Sequence, residues 1–182
     1  MKLKNQRLVF KMVLFSLSLA LFIVLNYASI NLQFIKISMK GLPIIFISVV
    51  YGPLEGALLG LFGEFFCQLV SPYGLTPTTA LWVLPWVAQG LVVGFMFKQK
   101  DPRKNIFRWI LTVIVSCLTV TLINTFVIWL DAKIFEYPSQ LTTITILFRL
   151  LGSIASALIY ALLIPALFAP LIKQGKFDIE KD

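Results

Sequence analysis

Side chains that can carry a charge or form strong hydrogen bonds are rare inside the long apolar stretches of this chain. A carboxylate, three amides and a guanidinium occur there: Glu64, Gln68, Gln89, Asn124 and Arg149. Glu64 and Gln68 are four residues apart, which places them on one face of a helix. An ionisable group at membrane depth is costly unless it faces a partner or a cavity. These residues therefore predict a pocket that binds a solute through hydrogen bonds.

An uncharged polar segment, SPYGLTPTTALWVLPWVAQG, runs from residue 71 to residue 90. It adds hydroxyl groups to the predicted pocket, from Tyr73, Thr76, Thr78 and Thr79. Its three prolines stiffen the segment and lower the entropy cost of ordering it around a ligand. Trp82 and Trp86 are also four residues apart, and we expect them to form an aromatic wall. Alternatively, Trp82 does not line the pocket but anchors its helix at the membrane interface.

The sequence gives no sign of catalysis. It contains no histidine, the commonest general base and metal ligand. The HExxH, GxSxG and P-loop motifs do not occur in it. Cys67 and Cys117 lie in apolar runs without CxxC spacing, which is typical of small buried hydrophobic residues. We therefore expect neither an enzyme nor a bound metal or cofactor.

The composition predicts an integral membrane protein. Of the 182 residues, 59% are hydrophobic and 13% are charged, against about 45–50% and about 25% in soluble domains. We expect one all-α domain over residues 1–182 with six transmembrane helices, and Gly52 and Pro53 should separate the second from the third. Pro165 and Pro170 should bend or end the sixth. The predicted spans are Leu8–Ile30, Gly41–Tyr51, Leu54–Val70, Thr79–Phe97, Phe107–Leu130 and Thr142–Ile172.

The distribution of basic residues predicts the orientation in the membrane. Twelve of the 16 lie in the two tails and in the connector between the fourth and fifth spans, while three lie in the other loops. This bias places both termini in the cytoplasm, and it explains the net charge of +8 without nucleic-acid binding. The uncharged segment then faces outward, as do Lys36 and Lys40, which are either solvated loop charges or ligand contacts.

Residues 36–64, KISMKGLPIIFISVVYGPLEGALLGLFGE, together with six spans in about 180 residues and a polar outer loop, resemble the S components of energy-coupling factor (ECF) vitamin transporters. The resemblance covers nearly the whole chain. It implies a subunit of the bacterial plasma membrane that captures a vitamin from outside with high affinity. It also implies partners: one transmembrane coupling protein and two cytoplasmic ATPases, which use the ATP.

Within that family, the sequence is more similar to the pantothenate-type members than to the folate-type members. Folate-type members are expected to have an aspartate at the position of Glu64 and a PYFPGFTLTA-like stretch in place of YGLTPTTALWVLPWVAQG. For pantothenate, Arg149 would bind the carboxylate, while the threonines and amides would bind the neutral groups. Two structural roles stay open as alternatives: Glu64 could form an ion pair with Arg149, and Asn124 could form a hydrogen bond between helices. Folate or another small vitamin is the alternative ligand, and a channel or a structural protein is the alternative class.

Small residues predict a docking surface on the first helix. Ser16 and Ala20 have the small-xxx-small spacing that allows helices to approach closely in lipid. The pattern resembles the Ala-xxx-Ala surface of S components, and it implies contact with the coupling protein. Gly56, Gly60 and Gly63 are more typical of packing inside the bundle.

Overall fold

The computed structural model describes residues 2–28, 30–32, 35–72, 74–97, 104–136 and 143–173. These residues form six helices and one antiparallel hairpin, in which Ile30 pairs with Ile37. Five of the helices are long and apolar enough to cross a membrane, and α2 is shorter. The elements are α1 (Lys2–Tyr27), β1 (Ile30–Leu32), β2 (Ile35–Ile37), α2 (Gly41–Tyr51), α3 (Pro53–Val70), α4 (Thr79–Phe97), α5 (Ile106–Ile134) and α6 (Thr143–Lys173).

The predicted helices are present, with some different ends. The bounds of α2 and α4 are those predicted, and Gly52, at a φ of 113°, makes the reversal between α2 and α3. Helix α1 ends before Ile30, because that residue begins the hairpin, and α5 continues four residues past Leu130. Pro165 and Pro170 do not end α6, which continues to Lys173. A proline removes one backbone hydrogen bond, a loss that neighbouring groups can offset within a transmembrane helix.

Helix α2 is short because it begins in the middle of the bundle. Its 11 residues rise only about 16 Å, roughly half of the hydrocarbon core of a membrane. Its first residue, Gly41, packs against Gln89 and Tyr160, which lie near the middle of α4 and of α6. We call residues 38–40 the connector. It therefore leads the chain from the hairpin inward to the start of α2.

Two apolar clusters lie on opposite faces of α2. On one face, Ile45 and Val49 pack with buried residues of α4, α5 and α6, including Trp109. On the other, Ile44 and Ile47 pack with buried residues of α1, α3 and α4. Because both faces of α2 are covered, its N-terminus is held in a fixed place relative to the helices around it.

The backbones of α3 and α4 touch along a seam of glycines. A Cβ atom on Gly90 would overlap the backbone of Gly56, and one on Gly94 would overlap Pro53. A Cβ atom on Gly60 would lie 2.5 Å from the carbonyl oxygen of Trp86. Close contacts of this kind are how helices associate in lipid, where the hydrophobic effect does not drive packing. A Cβ atom on Gly63 would lie 2.6 Å from the Phe22 ring, so the prediction that Gly56, Gly60 and Gly63 serve internal packing is confirmed.

Candidate functional site

A buried ion pair lies where the connector enters the bundle. The Lys40 ammonium is 2.7 Å from a carboxylate oxygen of Glu64, and the two side chains are 12% and 6% exposed. Lys40 also donates to Asn26 Oδ1 at 3.2 Å, and Gln68 donates to the other Glu64 oxygen at 3.1 Å. Hydrogen bonds to both carboxylate oxygens and the adjacent ammonium offset the cost of burying the charges. We call these residues, with Trp86, the charged cluster.

Aromatic rings cover the ammonium of Lys40. Its nitrogen lies 4.2 Å from the centroid of the Trp86 ring and 5.6 Å from that of Phe22. The two rings pack edge to face at 5.8 Å. A cation over a desolvated tryptophan is held by about 2 kcal/mol. The charged cluster thus combines a neutralised ion pair, two amides and an indole face on α1, the connector, α3 and α4.

This pairing resolves two alternatives left by the sequence. Lys40 is a buried partner of Glu64, so the interpretation of Lys40 as a solvated loop charge is wrong. Glu64 pairs with Lys40 and not with Arg149 in the part of the chain that the structure describes. The reason is the depth at which α2 begins, which carries Lys40 inward to the level of Glu64. The side chain of Lys36 lies outside the described residues.

A second polar group lies beside the charged cluster, at the start of α2. The Tyr160 hydroxyl donates to the Ser38 carbonyl and accepts from the Gly41 amide at 3.2 Å. Gln89 is 1% exposed and lies against Gly41, with room for its amide only because Gly41 has no side chain. Gln89 Oε1 and Ser38 Oγ are buried without a hydrogen-bond partner among the described residues. We call these four residues the polar junction.

The threonines of the uncharged polar segment hydrogen-bond mainly to one another. Thr76 N donates to Thr79 Oγ1 at 2.8 Å, and the Thr76 hydroxyl is 3.2 Å from that of Thr78. Thr78 and Thr79 are buried, at 3% and 7% exposure. The first turn of α4 is bonded through its backbone, with Thr79 N donating to the Thr76 carbonyl at 3.0 Å and Leu81 N to the Thr78 carbonyl at 2.8 Å, so the three threonine hydroxyls order the turn that precedes it. Their predicted role as ligand contacts stays a prediction, and Tyr73 lies outside the described residues.

The remaining predicted ligand residues stand apart from the charged cluster. Asn124 and Arg149 are half-buried, and no hydrogen bond or ion pair joins either of them to it within the described part of the chain. Arg149 Nε is buried without a hydrogen-bond partner there. Trp82 is half-buried, whereas Trp86 is only 9% exposed. Of the predicted ligand residues, the structure thus brings together Lys40, Glu64, Gln68 and Trp86, with Gln89 beside them, but not Trp82, Asn124 or Arg149.

The predicted docking residues lie on the outside of the bundle. Ser16 and Ala20 are exposed, among exposed apolar residues of α1 such as Leu17 and Leu21. Lys11 of the same helix pairs with Glu55 of α3 at 2.6 Å, at the opposite end of the bundle from Lys40. Docking to a coupling protein requires these two residues to be exposed. Contact of that protein with Ser16 and Ala20 stays a prediction.

Sequence reasoning missed four residues of the charged cluster and the polar junction: Asn26, Ser38, Gly41 and Tyr160. Each lies in or next to an apolar stretch, without a spacing that sets it apart. The signal that could have found Ser38 is its place beside Lys40 and Gly41, at the start of a helix too short to span the membrane. Among the described residues, no group of three or more Cys, Asp or Glu side chains could hold a metal ion.

Comparison with known proteins gave a family and a fold. The sequence model of the family described as "ECF-type riboflavin transporter, S component" matches residues 7–173. A solved structure described as "Structure and mechanism of the S component of a bacterial ECF transporter" is similar at a TM-score of 0.69 and 15% identity. The match covers 92% of this chain and 98% of that chain, and it shows the fold. No curated protein matches the sequence.

Proposed function

This chain belongs to the family of ECF-type riboflavin transporter S components, and we propose that its ligand is riboflavin, captured from outside the cell. Membership makes the chain a multi-pass membrane protein and the substrate-binding subunit of an ECF vitamin transporter, a transport protein and not an enzyme. Pantothenate, favoured by the sequence, becomes the second candidate, because the family model is that of the riboflavin transporters.

The observation that carries the proposal is the neutralised charge beneath Trp86. Lys40 and Glu64 cancel each other at 2.7 Å, so the charged cluster offers donors, acceptors and an indole face without net charge. Riboflavin is uncharged, and its planar ring carries both donors and acceptors on its edge. An anionic vitamin would instead require a free cation, or the displacement of Glu64 from Lys40.

The assembly and the orientation follow from the same proposal. The subunit would bind one transmembrane coupling protein through the face of Ser16 and Ala20, and two cytoplasmic ATPases would use the ATP. It would hold no cofactor of its own. Both termini would be cytoplasmic, with α2 and the hairpin together forming the sixth crossing of a bacterial plasma membrane.

Pantothenate remains the second candidate because of Arg149. This guanidinium is half-buried on α6, and its Nε has no hydrogen-bond partner among the described residues. A carboxylate ligand would provide one, in the bidentate geometry that arginine favours. Folate would use the same cation and add a large aromatic ring.

Equilibrium binding of labelled riboflavin, pantothenate and folate to the purified protein in detergent tests the proposal. We expect saturable binding of riboflavin, with quenching of the flavin fluorescence as the ring meets Trp86. Glu64→Gln should weaken riboflavin binding by about tenfold, as expected when a buried hydrogen-bonded charge loses its partner. Glu55→Gln, in the more exposed pair with Lys11, is the control and should change it less than about twofold.

Two outcomes would contradict the proposal. Saturable binding of pantothenate or folate without riboflavin would keep the family and move the ligand to Arg149. Equal effects of Glu64→Gln and Glu55→Gln would remove the charged cluster from the site.

A further inference from the structure

The amide of Gln89 is the most deeply buried polar side chain of α4 and has an unused acceptor. The side chain is 1% exposed, and its Oε1 has no hydrogen-bond partner among the described residues. A buried carbonyl oxygen without a donor loses the hydrogen bonds that it makes in water, so such groups are uncommon in folded proteins. Packing alone would be served equally well by an apolar side chain of the same size.

Two donors beside Gln89 are already used by other acceptors. The Tyr160 hydroxyl and Gln89 Oε1 both lie within 3.0 Å of the point where a Cβ atom on Gly41 would stand. The hydroxyl donates to the Ser38 carbonyl, and the Gly41 amide donates to the hydroxyl. Neither hydrogen is therefore directed at Gln89.

Ser38 supplies the complementary group at the same junction. Its Oγ is buried without a hydrogen-bond partner among the described residues, and a hydroxyl can donate as well as accept. The polar junction thus holds an unused acceptor on α4 and an unused donor on the connector. A ligand edge in which an N–H stands beside a C=O would satisfy both.

We propose that Gln89 determines specificity by accepting a hydrogen bond from an imide N–H of the ligand, with Ser38 donating to the adjacent carbonyl. The proposal rests on riboflavin as the ligand, because the pyrimidine part of the flavin ring has an N–H between two carbonyl groups. Pantothenate has an amide but no such ring edge.

The ligand reaches this junction only when the connector moves. In the proposed orientation the connector stands between the outer surface and Gln89, where the Tyr160 hydroxyl donates to the Ser38 carbonyl. The depth of the junction places the polar edge of the ring innermost. The ribityl chain then points outward, toward the threonines at the start of α4.

The test compares riboflavin with N3-methylriboflavin, in which the imide hydrogen is replaced by a methyl group. The native protein should bind the methylated compound at least about tenfold more weakly, because a site built to bind an N–H rejects a ligand that lacks it. Gln89→Met should weaken riboflavin binding about tenfold and bring the ratio between the two ligands close to one. Thr112→Val removes a buried hydroxyl of α5 that donates to the Arg108 carbonyl, outside both the charged cluster and the polar junction; it is the control and should keep the native ratio.

The comparison of the two ligands on the native chain needs no variant, so misfolding of Gln89→Met cannot obscure it. Equal binding of the two ligands by the native protein would overturn the role of Gln89 and leave riboflavin as the ligand. An unchanged ratio in a folded Gln89→Met variant would do the same. If the native protein binds neither flavin, the proposed function fails and this inference fails with it.

Discussion

The ammonium of Lys40 and the carboxylate of Glu64 join the connector to α3 inside the bundle, at 2.7 Å. Each charge is tolerated there because of the other. Removing one partner leaves an uncompensated charge, which costs more than losing the pair as a whole.

Lys40→Met should therefore destabilise the protein strongly. We expect a loss of about 3 kcal/mol, with partial recovery when Glu64→Gln is added, measured by thermal unfolding in detergent. Lys11→Met is the control, since its pair with Glu55 is 39% and 25% exposed and should contribute under about 1 kcal/mol. Equal losses from Lys40→Met and Lys11→Met would show that the Lys40 pair is not held in a buried site.

The glycine seam predicts a second effect on stability. Gly90→Ala places a methyl group into the backbone of Gly56, and we expect a loss of about 2 kcal/mol because the two helices must separate. Ala80→Val adds bulk to an exposed position of the same helix, and it should change the unfolding temperature little. A Gly90→Ala variant as stable as the native protein would contradict close contact between α3 and α4.

Fluorescence should distinguish the two tryptophans of α4. Trp86 lies over Lys40 and is 9% exposed, so Trp86→Phe should remove most of the change in tryptophan emission on ligand binding. Trp82→Phe should leave that change largely intact, because Trp82 lies outside the charged cluster. Loss of the signal in Trp82→Phe alone would move the ligand outward, toward the threonines.

Arg149 separates the two candidate ligands. If riboflavin is the ligand, Arg149→Gln should alter its affinity less than about threefold, since a neutral ligand gains little from a guanidinium. If pantothenate is the ligand, Arg149→Ala should lower its affinity by at least about tenfold while the protein stays folded. Titration of both vitamins against both variants, with the unfolding temperature as control, decides between these results.

The exposed face of α1 predicts a separation of binding from transport. Ser16→Trp or Ala20→Trp should leave vitamin binding intact and abolish uptake by the assembled transporter, because a large side chain prevents close helix contact. Leu158→Trp, at an exposed position of α6, should leave uptake unchanged. Normal uptake with both α1 variants would place the docking surface elsewhere.

The sequence predicted the helices better than the pairing of their side chains. Gly52 and Pro53 mark the end of α2 unambiguously, and its bounds are those predicted. The hairpin was not predicted, since strands of three residues have too little alternation to stand out from a loop. Sequence reasoning considered only Arg149 as the partner of Glu64, because Lys40 was expected in the outer loop; the depth at which α2 begins brings Lys40 to Glu64 instead.

The polar junction could not be predicted for the same reason, since its contacts join residues far apart in the sequence. Tyr160 lies 119 residues from Gly41 along the chain, and their hydrogen bond depends on how α6 packs against α2. Gln89 was singled out because an amide inside an apolar helix is unusual, whereas a tyrosine is not. A single sequence shows which residues are polar, but it does not show which distant residue each of them contacts.

The glycine seam also limits how the binding subunit can deform. Trp86 and Glu64 stand on helices whose backbones are in contact at Gly60 and Gly90, with no side chains between them to rearrange. We therefore expect the two helices to move as one rigid unit, so that a displacement of either helix carries both Trp86 and Glu64 with it. In the proposed site, opening would come instead from the side of the hairpin and the connector, which Lys40 joins to α3 through Glu64. A vitamin would then enter and leave past the same hinge.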